Sequence, residues 1–128
     1  MKSIINKEKY EITIKNSKFI GIIIPIEGKN DIKKYLTEIK DEYKNAAHYC
    51  YAFKTISDKG FSDDGEPNKT AGIPILNIIE SEDLINILII VIRYFGGIKL
   101  GPGGLIRAYS NTSKEVINKS TKIDLING

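Results

Sequence analysis

The segment Ile85–Phe95 sets the tightest limit on what this chain can fold into. It contains Ile87-Leu88-Ile89-Ile90-Val91-Ile92, with no proline, glycine or charge to interrupt it. β-Branched side chains are stiff at χ1 and favour strands. A strand with one wet face alternates apolar and polar residues, whereas an unbroken apolar run needs cover on both faces. This strand therefore belongs inside a sheet that is packed on two sides. Lys18–Glu27 makes the same demand through Phe19-Ile20-Gly21-Ile22-Ile23-Ile24. Lys9–Lys15 alternates and reads as a half-exposed strand, joined to the next by a tight turn at Asn16-Ser17.

Helical signals fill the intervals. Asn30 is a candidate cap for a helix reaching about Lys44, with Ile32, Tyr35, Leu36, Ile39 and Tyr43 on one face. Tyr49–Ile56 reads as a third strand and the polar stretch Ser57–Lys69 as a loop. A short helix is expected from near Gly72 to Glu80, with Pro74 in its first turn, where a missing N–H costs little. Gly96-Gly97 ends the long strand. A last helix runs from about Gly103 to Lys119 with Leu105, Tyr109, Thr112 and Val116 on one face. The order predicts one α+β domain spanning residues 1–128, a mixed four-stranded sheet packed by helices.

The 128 residues suffice for one domain with a core. No apolar run approaches the roughly 20 residues that span a bilayer. The charged start, Met1–Tyr10, lacks the apolar stretch of a secretory signal. The single cysteine, Cys50, excludes an internal disulfide, so a cytoplasmic location is expected. A net charge of +3, from 19 basic and 16 acidic residues, is too small to announce nucleic-acid binding by itself. The lysines Lys33, Lys34, Lys40 and Lys44 read as a solvated helix face.

Three segments carry the chemistry. They are Ala47–Ala52, containing His48 and Cys50, then Ser62–Gly72, containing Asp63, Asp64, Glu66 and Thr70, and then Arg93–Tyr109. In order and spacing they resemble the amino-terminal domain of the IMPACT/YigZ family over roughly Lys15–Ser113. Departures from the family's usual residues fall at Tyr49 (usually Asn), Lys69 (usually Gly) and Ile92 (often Thr). The resemblance implies a fold like the second domain of small-subunit ribosomal protein five, including an unusual left-handed strand–helix–strand crossover. It also implies a link to control of translation without a settled catalytic activity. Bacterial members usually add a ferredoxin-like second domain. This sequence stops at Gly128 and reads as the first domain alone.

The glycine-rich turn is the leading candidate site. Gly96, Gly97, Gly101, Gly103 and Gly104 remove Cβ atoms where a ligand would meet the backbone, and a helix start offers free N–H groups to anions. Arg93, Lys99 and Arg107 flank it. Together they form a candidate phosphate or nucleic-acid site, unless glycine serves backbone geometry alone. Asp63, Asp64 and Glu66 are candidates to hold magnesium against a substrate phosphate, but capping the next helix or pairing with Arg93 or Arg107 is favoured.

His48 and Cys50, two apart on a strand, share a face at about 7 Å, which is long for a thiol–imidazole pair. Neither is expected to be a nucleophilic catalyst, and the resemblance raises His48 as a site-lining residue. Tyr94 and Tyr109 flank the basic residues as candidate stacking platforms. The favoured function is a translation-associated regulatory or nucleic-acid-binding module, with RNA or the ribosome as partner; the alternatives are a magnesium-dependent enzyme on a phosphorylated substrate and a module binding a protein partner as a peptide. Acidic and basic elements that close on one another weaken polyanion binding there; opposite walls of an open cleft favour the enzyme.

Overall fold

The computed structural model describes residues 1–125 of the chain. Its elements are β1 (Lys2–Ile4), β2 (Glu8–Ile14), β3 (Ser17–Pro25), α1 (Ile32–Glu42), β4 (His48–Lys54), β5 (Lys59–Ser62), α2 (Gly72–Ser81), β6 (Ile87–Tyr94), α3 (Gly101–Lys119) and β7 (Lys122–Asp124). A 3-10 turn at Lys29–Asp31 precedes α1, so Asn30 lies inside that turn rather than capping the helix.

The main sheet corrects the expected four mixed strands. It has five strands in the order β2-β3-β6-β4-β5, and every pairing is antiparallel. The fifth strand, β5, lies in the stretch expected to be a loop. A separate two-stranded ribbon pairs β1 with β7.

The two unbroken apolar runs, β3 and β6, are neighbours at the centre, with Ile22 opposite Ile90 and Ile24 opposite Leu88. One face of the sheet carries Phe19, Ile23, Ile89 and Val91 against α2 and α3, through Ile75, Ile79, Tyr109 and Val116. The other carries Ile20, Ile22, Ile90 and Ile92 against α1, through Ile32 and Ile39. Ile23, Ile24, Ile89, Ile90 and Val91 are at most 3% exposed, as a doubly covered strand requires. Each such side chain contributes about 1.5–3 kcal/mol relative to exposure.

The topology fixes one further property. β3 and β4 both run antiparallel to β6, so they are parallel to each other, and α1 links them over one face. β5 and β6 are likewise parallel, and α2 links them over the opposite face. The first crossover moves along the sheet toward β5 and the second moves back, against the strand direction of the first. Turning the sheet by half a rotation about its normal superimposes strands and direction of travel but leaves the helices on opposite faces. The two crossovers therefore have opposite hands, and one of them is left-handed, against a strong general preference.

Candidate functional site

β6 delivers the first component. Its residues Ile87, Ile89 and Val91 point to the α2–α3 face, and the two-residue period puts Arg93 next on that face. Arg93 is only 5% exposed. Its Nη1 donates to Glu66 Oε1 at 2.9 Å and Oε2 at 2.8 Å. Nε and Nη2 each lie 3.4 Å from Ser17 Oγ. The guanidinium carbon sits 5.6 Å from the Phe19 ring and 5.3 Å from the Phe95 ring. Charge, hydrogen bonds and ring contacts all hold it inside the protein.

Glu66 is the hub. The Tyr109 hydroxyl donates to Oε2, and His48 Nε2 lies 3.4 Å from Oε1. Burial pushes the Tyr109 phenol well above its ordinary range, so it stays a donor to the carboxylate. His48 faces Arg93 across the β4–β6 register. Its Nδ1 is 2.7 Å from the Asp64 carbonyl oxygen, which can only accept, so Nδ1 carries a proton. A neutral His48 therefore turns its Nε2 lone pair toward Glu66, and an imidazolium would extend the ion pair there.

The rest of the acidic loop is committed elsewhere. Asp63 accepts the Lys69 N–H at 2.9 Å on Oδ2, and those of Ala71 at 3.2 Å and Gly72 at 2.8 Å on Oδ1. It thus satisfies donors left unpaired at the start of α2. Asp64 Oδ2 accepts the Tyr49 N–H at 2.6 Å. Thr70 donates to the Pro67 carbonyl at 2.6 Å and is buried in the loop. Each carboxylate has a separate task, and among the described residues no group of three or more His, Cys, Asp or Glu is arranged to hold a metal ion. The residues present do not fit the magnesium site considered from the sequence.

Cys50 is fully buried, and its thiol donates to the Asp63 carbonyl at 3.1 Å and lies 3.4 Å from the Tyr109 hydroxyl. Burial pushes the thiol well above its ordinary range, which removes the thiolate a nucleophile needs. Tyr94, next to Arg93 on the strand, points to the opposite face and donates to the Lys44 carbonyl at 3.0 Å. Tyr109 lies in the core at 0% exposure. Neither tyrosine is a stacking platform at this site.

Above the Arg93–Glu66 floor opens a cleft of about 450 Å³. Its walls include Pro67, Phe95, Leu100, Pro102 and Leu105, with His48 and Lys99 as polar members. A second cavity, about 240 Å³, is lined by Lys15, Gly104, Arg107 and Asn111 among others. Leu100 lines both. Among the described residues, Lys15, Lys99 and Arg107 make no ion pair. Phe95, Leu100 and Lys15 were not singled out from the sequence. A phenylalanine directly before Gly96-Gly97, at the end of the apolar run, was the available signal for Phe95.

The glycines divide by cause. At Gly96 a Cβ would lie 2.1 Å from the Asn16 backbone, so chain packing demands glycine there. Gly97 and Gly101 have φ of +87° and +77°, where other residues are strained. At Gly104 a Cβ would press on Leu100 at 3.1 Å. Gly103 is different: its φ is not in the left-handed region, and a Cβ would meet only the flexible Arg107 guanidinium, at 3.3 Å.

With this geometry in place, the sequence matches the Impact N-terminal domain over residues 15–117. The chain belongs to the IMPACT family. An IMPACT family member of Haemophilus influenzae is 42% identical over 115 residues, 84% of this chain and 55% of that protein. YigZ of Escherichia coli is 35% identical over 84% of this chain and 55% of its own length. The chain thus spans about half the length of these bacterial relatives. The crystal structure of a hypothetical protein superposes with a TM-score of 0.92 at 31% identity, over 95% of this chain and 62% of its own. The two-domain translational regulator Yih1 shares the fold at a TM-score of 0.55 and 22% identity, over 89% of this chain and 46% of its own. Among the described residues no helix is long and apolar enough to cross a membrane.

Proposed function

We propose that this IMPACT-family domain serves translation-associated regulation in the cytoplasm as a non-catalytic docking module that binds RNA, with the ribosome as its expected context. The description of Yih1, which shares the fold, as a translational regulator supports this reading of the process. One observation carries the mode of binding: Lys15 and Arg107 line one cavity, Lys99 lines the adjoining cleft across Leu100, and none of the three has an ion-pair partner among the described residues. Arg107 can grip a phosphate with two parallel hydrogen bonds, the lysines add point charges, and the helix start adds N–H groups. Arg93, held by Glu66, serves as the structural floor rather than a phosphate ligand.

RNA binding of this kind releases counterions and weakens steeply with salt. The test measures RNA and ribosome affinity at several salt concentrations for wild type, Lys99→Ala and Arg107→Ala. Each variant is expected to fold normally, bind more weakly and lower the salt slope by about 1. Unchanged affinity in both folded variants would refute the reading.

A further inference from the structure

The two cavities differ in chemistry and share a wall. The larger is mostly apolar, and Phe95 in its lining is 53% exposed. The smaller holds Lys15, Arg107 and Asn111 and has no carboxylate in its lining. Leu100 alone is common to both, so a ligand filling the pair would set an apolar group in the larger and an anionic group across Leu100 in the smaller.

We propose that the two cavities together receive one unpaired nucleotide of single-stranded RNA, its base in the cleft against Phe95 and its phosphate among Lys15, Arg107 and Asn111. This rests on the RNA reading above and adds strand selectivity to it. Arg93 packs on the Phe95 ring, with its guanidinium carbon 5.3 Å from the centroid, and fixes the ring without covering it. At about 450 Å³ the cleft lies in the range of small-ligand sites. His48 also lines the cleft, with its ring nitrogens turned to Asp64 and Glu66. A paired base cannot enter such a cleft, because its faces are stacked and its edge is occupied. Gly103, with no fold requirement for glycine, lies at the start of α3 with the Arg107 guanidinium 3.3 Å from where a Cβ would be, and its missing Cβ leaves room for a ligand to approach the helix there.

The chain contains no tryptophan, so Phe95→Trp places a single indole reporter in the cleft. It also keeps a ring for Arg93 to pack on, and so remains informative if Phe95→Ala does not fold. A short single-stranded RNA and its duplex are titrated into wild type, Phe95→Trp and Phe95→Ala at two salt concentrations, with an acidic peptide as competitor. Wild type is expected to prefer the single strand by about tenfold or more, the scale of one stacked base. The introduced indole should be quenched by the single strand and not by duplex or inorganic phosphate. Phe95→Ala should lose the preference while its salt slope stays the same. Equal single-strand and duplex affinity, an indole that ignores RNA, or an indole that responds only to the peptide would overturn the inference while leaving salt-dependent RNA binding intact. Absence of RNA binding by wild type would sink the docking reading itself, and this inference with it.

Discussion

Two groups of charged side chains meet at the cleft and its adjoining cavity, and the fold treats them in opposite ways. Arg93 and Glu66 are 5% and 7% exposed and spend their charge on each other, with Tyr109, Ser17 and His48 completing the network. Lys99 and Arg107, only six and fourteen positions after Arg93, are exposed and have no acidic partner among the described residues. The arginine that looks most available in the sequence is therefore the one least able to meet a ligand. Proximity along the chain says that residues share a region; strand and helix periodicity says which of them face inward.

The largest expected effect separates the two groups by stability. Removing one member of a buried ion pair leaves the other charged and dehydrated, at about 3–5 kcal/mol. Arg93→Ala and Glu66→Ala should each lose about that much in urea or thermal unfolding, with little relief from salt because the pair is screened from solvent ions. Replacing both residues by apolar side chains of similar size should recover much of the loss. An Arg93→Ala protein of normal stability that no longer binds RNA would reverse the assignment of floor and rim.

A smaller effect is expected one residue group away, at Asp63. Its carboxylate holds the N–H groups of Lys69, Ala71 and Gly72, the entry to α2. Loss of a helix-capping acceptor costs about 0.5–2 kcal/mol. Asp63→Ala should fall in that range and speed amide exchange at Ala71 and Gly72 first. If Asp63→Ala instead left stability untouched and altered binding, the acidic loop would belong with the exposed rim rather than with the floor.

This contrast also marks how far the residues themselves spoke. The buried pair β3 and β6 was legible because nothing polar interrupts them, and α3 because Leu105, Tyr109, Thr112 and Val116 recur at helical spacing. Tyr109, offered from its position as a stacking platform, lies on that same inward face and is fully buried. Arg93 and Tyr94 are adjacent on a strand and cannot share a face, so period-2 geometry alone excluded a site containing both side chains. β5 was not legible: Lys59-Gly60-Phe61-Ser62 offers one large apolar residue and a glycine, and it becomes a strand only because β4 pairs with it. The β1–β7 ribbon joins segments at opposite ends of the chain, a pairing that no local pattern encodes. Strand direction was equally hidden, since an apolar run reads the same in a mixed sheet and in an antiparallel one.

The smallest effect is the most discriminating, because stability and binding should move in opposite directions. Gly103 is the third residue of α3, where its backbone freedom is a cost, and alanine there is worth up to about 1 kcal/mol. No fold requirement opposes the change: a Cβ would touch only the tip of Arg107, at 3.3 Å, and that tip can move. Gly96 provides the control, because a Cβ there would lie 2.1 Å from the Asn16 backbone and Gly96→Ala should destabilise the turn outright. Gly103→Ala should therefore raise the unfolding midpoint slightly. If the missing Cβ serves ligand approach, the same variant should bind single-stranded RNA more weakly, both by filling the approach and by displacing the guanidinium that lies over it. Calorimetric melts and RNA titrations on one preparation read both quantities. A Gly103→Ala protein that is more stable and binds as well as wild type would show that Gly103 serves neither backbone geometry nor ligand approach, and would leave Lys15, Lys99 and Arg107 as a rim of charge without a seat for the phosphate.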